Sequence, residues 1–252
     1  MPTRSNPIDA AEVSDDAVLG GRLKLLQPRE GHRAGHDAIL LAAAAPKSTL
    51  ALDLGAGVGT AGLALLARRI TTQVTLVEID PKLAALASQN AIRNGFADAT
   101  RILQGDITGD LPLQLDAYDL VVMNPPFNAM AALQVSPNAA RARAHAAGDA
   151  TTERWIVRAA RHCKAGGCST IIHRPEATLP ILQSRDSRFG AIEMLPVFPK
   201  PEAAAIRLIV RAIKGRKTPT QMLPGITLND KHGKPSAIAE RILRDGASIF
   251  GD

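Results

Sequence analysis

The chain has 252 residues, enough for one substantial α/β domain with a real core and too few to argue for more than two domains. Hydrophobic content of 46% with 21% charged residues is ordinary for a soluble globular protein. A net charge of +6 and a pI near 9.7 favour a polyanionic partner such as nucleic acid.

Met1 to Leu19 is polar and acid-bearing, unlike a signal peptide, and residues 1–18 read as a flexible tail. Residues 19–252 read as a single domain, with a cover segment at 19–48, a core sheet at 49–214 and a C-terminal extension at 215–252. Arg22 to Pro28 has extended character, and Gly31 and Gly35 interrupt it. Asp37 is placed to cap a helix that runs through the alanines and stops at Pro46. This is the longest apolar run, far below the roughly 20 residues a membrane span needs, so a cytoplasmic protein is expected.

Strands and helices then alternate. Strands are expected at Thr49 to Leu54, Gln73 to Ile79, Ala99 to Gln104 and Tyr118 to Met123. Helices are expected at Gly62 to Arg69, Pro81 to Asn94 and Thr151 to Cys163, the last ending at Gly166-Gly167. Cys168 to His173 reads as a fifth strand, and Ala191 to Phe198 and Ala204 to Ile213 as two more joined by a Pro-containing turn. Alternation with short apolar strands predicts a mainly parallel sheet covered by helices on both faces. Cys163 and Cys168 are the only cysteines, a pair that suits neither a zinc site nor a disulfide framework, so no metal is expected.

Asp53-Leu-Gly55-Ala-Gly57-Val-Gly59-Thr60 ends the first core strand and opens a helix. Glycines let the backbone turn sharply and approach a ligand closely. Two cofactor readings fit. From Gly57, the run Gly57-Val-Gly59-Thr-Ala-Gly62 matches the dinucleotide fingerprint, with Glu78 at a distance suited to a ribose. From Asp53, the loop suits S-adenosyl-L-methionine, which carries a cationic amino group and no phosphate. Asp53 could hold that group, Glu78 the ribose hydroxyls, and Asp106 the adenine amino group, with Ile79 and Ile107 beside the latter two acids. Three acids at successive strand ends face one crevice, as the switch-point rule for open sheets requires. The same acids also serve as helix caps and turn formers, and Asp80 before Pro81 reads as a cap.

Asn124-Pro125-Pro126-Phe127 closes the fourth core strand and is the most specific signal in the chain. An amino group conjugated to a ring or carbonyl is a poor nucleophile because its lone pair is delocalised. The Asn124 side-chain oxygen and the Pro125 carbonyl would accept its two N–H groups, favouring a pyramidal nitrogen. The prolines stiffen the acceptors before substrate arrives. Phe127 would stack on a flat substrate. Aromatics are only 3% of the chain, so few other side chains can do this.

These motifs resemble those of class I methyltransferases acting on exocyclic or amide nitrogens. The segment Gln27-Pro-Arg-Glu-Gly-His-Arg-Ala-Gly35-His-Asp37-Ala-Ile-Leu-Leu, with Lys164 to Gly167, Arg207-Leu-Ile-Val and the tail from Leu223 to Leu243, is similar to the bacterial tRNA(Val) adenine-N6 methyltransferase family. The resemblance covers nearly everything after residue 20. It implies a Rossmann-like sheet of seven strands with the last two as an antiparallel hairpin, and a role for Asp37 in closing the cofactor pocket. It implies methylation of an adenine N6 in tRNA. Phe127 stands where many relatives have Tyr. Arg29 and Arg33, with His32 and His36, precede the loop, and Arg141 and Arg143, with His145, follow Phe127; the four arginines are candidate RNA contacts. Arg154, Arg158 and Arg161 form a stripe at helical spacing, read as a solvated face. The alternatives are a glutamine-amide methyltransferase, a DNA adenine methyltransferase, a nicotinamide-dependent oxidoreductase and an inactive RNA-binding protein of this fold.

Overall fold

The computed structural model describes residues 12–30, 35–126, 151–185 and 188–250. Within the stretch 1–18 expected as a tail, Val13–Val18 instead forms strand β1 against β2, Leu23–Pro28. The side chains of Leu23, Leu25 and Gln27 on β2 are buried and alternate with more exposed ones, while the backbone edge of β2 pairs with β1.

Helix α1, His36–Ala44, is apolar all round, and Ala38 to Ala44 are all buried. Asp37 does not cap it. Gly35 occupies the cap position without a side-chain bond, and Asp37 lies one residue inside the helix, where its Oδ2 accepts from Arg207 Nε at 2.7 Å. The core then follows as β3 (Leu50–Leu54), α2 (Thr60–Ala67), β4 (Gln73–Glu78), α3 (Pro81–Arg93), β5 (Thr100–Gln104) and β6 (Tyr118–Met123). Asp80 caps α3 as its sequence predicts, its Oδ1 accepting from Lys82 N at 2.7 Å and Leu83 N at 3.3 Å.

Helix α4 covers 151–162 and gives way at once to β7, Cys163–His173. The strand was expected to start only at Cys168, after a glycine turn. Instead Cys163 pairs with Tyr118, the register shifts, and pairing resumes at Leu120 with Cys168. Gly166 and Gly167 thus lie in an irregularity within the strand, Gly166 with a positive φ of 76° and Gly167 where the backbone approaches too closely for a side chain. A Cβ on Gly167 would sit 2.8 Å from Cys163 Sγ and 3.0 Å from the Asp119 carbonyl. After helix α5 (Thr178–Arg185) come β8 (Phe189–Phe198), β9 (Arg207–Lys214), β10 (Gln221–Met222), β11 (Ile226–Thr227) and helix α6 (Ala237–Leu243).

Among the described residues the main sheet runs β10-β8-β9-β7-β6-β3-β4-β5, with β11 also on β8. β5, β4, β3, β6 and β7 are parallel, and β9 is antiparallel to both β7 and β8. Seven strands and a terminal antiparallel pair are what the sequence implies; β10 and β11 extend that edge by two residues each. One apolar layer gathers α1, α2 and residues from β2 and α6, and the other gathers Trp155, Ile156 and Ala159 of α4 with Ile181 of α5. Strand order reverses between β3 and β6, which opens a crevice at their C-terminal ends. No described helix is long and apolar enough to cross a membrane.

Candidate active site

β3 pairs with β6 through Leu54 and Met123, so Gly55 and Asn124 leave the sheet side by side. The chain after β3 turns tightly under β4, with the Gly55 and Ala56 N–H groups both donating to the Val77 carbonyl at 2.9 Å. Gly55 has φ +71°, and a Cβ there would lie 2.3 Å from the Trp155 ring. Trp155 therefore floors the loop from α4, and any side chain at 55 would displace it. Gly59 caps α2 in the left-handed region at φ 88°. Asp53, Gly55, Gly57, Thr60, Ala38 and Asn124 line one cleft at this point.

Asp53 is 2% exposed, and its Oδ2 accepts from Gly62 N at 2.9 Å in the first turn of α2. Burial pushes its carboxyl up from 3.8 to about 7; the Gly62 N–H pulls the other way, and the Glu78 charge adds to the rise. Glu78 is buried at the end of β4 and braces the loop, accepting from Gly57 N at 2.8 Å through Oε2 and from Asp80 N at 2.9 Å through Oε1. Each oxygen keeps a second lone pair for a ligand hydroxyl.

Gly105 N donates to the Glu78 carbonyl at 2.8 Å, which sets Ile79 and Asp106 next to each other at the rim. Ile79 is 62% exposed, a large apolar side chain standing beside the acids, whereas Ile107 is buried in the core beneath. The Asp106 carboxylate is turned toward Thr108, accepting from its N at 2.7 Å and its Oγ1 at 2.9 Å. Those two bonds, from the Thr108 N–H first, hold its carboxyl below the usual range, with help from Arg158 and Arg154. Arg158 also donates to the Thr108 carbonyl. The arginine stripe is thus not a purely solvated face: Arg158 is half-buried and ties α4 to the Asp106 loop, while Arg154 and Arg161 are exposed.

Pro125 is buried and Pro126 exposed, directly after Asn124. Asn124 Oδ1 is buried with no hydrogen-bond partner among the described residues, and so is Thr60 Oγ1. An unpaired buried polar atom costs about 1–3 kcal/mol, so two in one cleft mark a place shaped for a polar ligand. The donor set fits S-adenosylmethionine: acids for its cation and ribose, glycines for close approach, and an apolar Ile79 at the adenine end. An anionic pyrophosphate would instead meet two buried acids, Asp53 and Glu78, at the helix end where the dinucleotide reading puts it. Phe127, Arg33, His32, Arg141, Arg143 and His145 lie outside the described residues. Arg29 is exposed beyond β2, its N–H donating to the Glu12 carbonyl at 2.9 Å.

Three residues of the site escape sequence reasoning. Thr60 follows the glycines but carries no motif signal, Trp155 reads only as a rare aromatic, and Arg207 meets Asp37 across 170 positions. None of these pairings has a local pattern.

Comparison with known proteins agrees with this geometry. Residues 34–193 match the methyltransferase small domain family model. A tRNA1(Val) (adenine(37)-N6)-methyltransferase of Yersinia enterocolitica is 38% identical over 103 residues, 39% of this chain and 41% of that protein. A protein of the same name from Actinobacillus pleuropneumoniae is 29% identical over 164 residues, 63% of this chain and 66% of the relative. The matched stretch thus spans about two fifths of the first relative's length. Among solved structures, a protein from Agrobacterium tumefaciens described as a predicted O-methyltransferase superposes with TM-score 0.70 at 25% identity, covering 86% of this chain and 99% of that one. The family match spans well over half the chain, on the fold and around the cleft just described: the chain belongs to the methyltransferase small domain family.

Proposed function

We propose that this enzyme methylates the exocyclic N6 amino group of an adenine in tRNA. The observation that carries the reading is Asn124 Oδ1, buried and unpartnered in the cofactor cleft at the end of β6, with two prolines behind it. Bound S-adenosylmethionine supplies both the methyl group and its own leaving group, so the chain's work is to hold and orient. Asn124 Oδ1 and the Pro125 carbonyl accept the two N6–H groups and turn the nitrogen lone pair toward the methyl carbon. Pro125 and Pro126 keep these acceptors in place, so little reorganisation accompanies the reaction. Phe127 stacks on the base. Asp53 faces the donor's ammonium, Glu78 its ribose hydroxyls and Asp106 its adenine, with Gly55, Gly57 and Gly59 giving backbone access. Ile79 and Ile107 form the apolar surround at that end. Asp37, held by Arg207, positions α1 so that Ala38 closes the cleft.

The names of the relatives and the excess of basic residues support RNA over protein. An adenine in a duplex cannot reach a donor in a crevice, so the target is an unpaired loop base turned out of the stack. Arg29, Arg33, Arg141 and Arg143 are assigned to its phosphates. The test is transfer of labelled methyl to unmodified tRNA and, in parallel, to a peptide-release factor carrying the glutamine-amide substrate. Label in N6-methyladenosine is expected, lost by orders of magnitude in Asn124→Ala with donor affinity retained. Label found only in the protein would establish the glutamine reading instead.

A further inference from the structure

Arg158 lies outside the motifs of the chain, yet it reaches the turn that carries Asp106. The turn is tight and local. Thr108 N and Oγ1 donate to Asp106 Oδ1 at 2.7 and 2.9 Å, and Gly109 N donates to the Asp106 carbonyl at 3.0 Å. Bonds between an aspartate and the residue two ahead orient the carboxylate within its own turn. They do not place that turn against the sheet. Asp106 and Thr108 are both exposed, so the turn depends on anchors around it. Before it, Gly105 N donates to the Glu78 carbonyl at 2.8 Å. Within it, Ile107 is buried in the same apolar layer as Trp155, Ile156 and Ala159. At its far end, the half-buried Arg158 of α4 donates through its guanidinium to the Thr108 carbonyl. The same guanidinium acts on the Asp106 carboxylate only as a neighbouring charge, and among the described residues Asp106 Oδ2 accepts no hydrogen bond.

We infer that Arg158 is a positioning residue for the purine of the methyl donor: by fixing the Thr108 carbonyl it aims Asp106 Oδ2 at the 6-amino group and so sets a preference for adenine over a 6-oxo purine. An ionised carboxylate is an acceptor only. It attracts an N–H donor and repels a carbonyl oxygen in the same place, so the discrimination depends on aim as well as on charge. A carboxylate free to turn toward water would lose both the attraction and the repulsion. Arg158 suits the task because its planar fork holds a carbonyl in a fixed direction, while its charge favours the ionised form of Asp106. This rests on the assignment of Asp106 to the donor's adenine and is independent of which substrate accepts the methyl group.

The test is binding without turnover, by titration calorimetry on the full chain. The ligands are S-adenosylhomocysteine and S-inosylhomocysteine, which carries a carbonyl oxygen in place of the purine 6-amino group. The parent chain should prefer the adenosyl compound at least about tenfold, as one hydrogen bond to a charged group allows. Arg158→Met removes the guanidinium and should reduce that preference about fivefold, mainly through weaker binding of the adenosyl compound, and Arg158→Lys should restore most of it. Thr108→Val, an exposed change that removes one bond to the carboxylate, should lower the preference in the same direction. In an Asp106→Asn background, Arg158→Met should have no further effect on it. Equal weakening of both ligands by Arg158→Met, or an effect that persists in the Asp106→Asn background, would assign Arg158 to packing and overturn the inference. A preference that survives Arg158→Met or Thr108→Val while Asp106→Asn removes it would overturn it too. A parent chain without the preference, or a preference that Asp106→Asn leaves intact, would fail the assignment of Asp106 to the base, a separate result that takes the inference with it.

Discussion

Asp53 combines two demands that oppose each other. Buried at the end of β3, it resists ionisation and loses its proton only at about 7, yet a cationic ligand favours its charged form. Between its ordinary value of 3.8 and about 7, the folded chain keeps a proton that the unfolded chain has released. By linkage, its contribution to stability falls as pH rises through that window and then levels off. With Asp53 facing the cofactor's ammonium, as proposed, binding should have the opposite slope, because the cation draws the proton off. Affinity for S-adenosylmethionine is expected to rise from about pH 6 to about pH 8, with proton release measurable in buffers of different ionisation enthalpy. Asp53→Asn should flatten that dependence and leave the ligand-free protein more stable at the higher pH. An affinity indifferent to pH in the parent protein would remove Asp53 from the cation's side.

At the level of elements, the cofactor loop is held from behind by α3. Asn90 is fully buried; its Oδ1 accepts from Leu26 N at 2.7 Å, and its Nδ2 donates to the Leu26 carbonyl at 3.1 Å and the Val58 carbonyl at 3.0 Å. One turn later, Asn94 treats Lys24 the same way, accepting at 2.9 Å and donating at 2.7 Å. The two amides, four apart on one helix face, stand in for a neighbouring strand along β2 and join that ribbon to the glycine loop. Asn90→Leu would leave buried backbone groups of β2 and the loop unpaired. A loss of roughly 2–4 kcal/mol in denaturant unfolding is expected, with weaker cofactor binding. Asn94→Ala, at a half-buried position that does not reach Val58, should cost less and spare the cofactor. Equal effects from the two variants would argue against a link through Val58. Arg158 and the Thr108 carbonyl make a similar tie on the other face, between α4 and the loop of Asp106.

For the whole molecule, the sheet brings residues from four strand ends to one crevice and leaves the positive charge on the outside. Asp53 and Glu78, the acids proposed to hold the cofactor's ammonium and ribose, are buried, while Arg29, Arg154 and Arg161 are exposed. Salt should therefore separate the two ligands. tRNA binding is expected to weaken roughly tenfold or more between about 50 and 200 mM salt, as phosphate contacts release counterions. S-adenosylmethionine affinity should stay nearly constant over the same range, because a cleft floored by Trp155 and α1 is little screened. Filter binding and calorimetry across that range measure the two slopes, and a salt-independent tRNA affinity would argue against a phosphate-led interface.

By itself the sequence determined what is local. Short strands ending at or beside Asp53, Glu78 and Asn124 were legible because strand period and length are written in neighbouring side chains, and the Asp80-Pro81 pair and the glycines marked where helices begin. The succession of core strands along the chain and their mainly parallel sheet followed from that alternation, and the terminal antiparallel pair from the family resemblance, whereas the order of strands in the sheet came only with the structure. Only the tertiary structure decided the rest, since it depends on groups far apart in the chain. Val13–Val18 looked like a tail because its acids and serine hide a strand that needs β2 to exist. Gly166-Gly167 looked like a helix stop because the Asp119 carbonyl that crowds it comes from another strand. Asp37 looked like a cap because Arg207 lies 170 residues away. The unpaired oxygens of Thr60 and Asn124 were invisible for the same reason: whether a buried polar atom has a partner is settled by the whole fold, not by its neighbours in sequence.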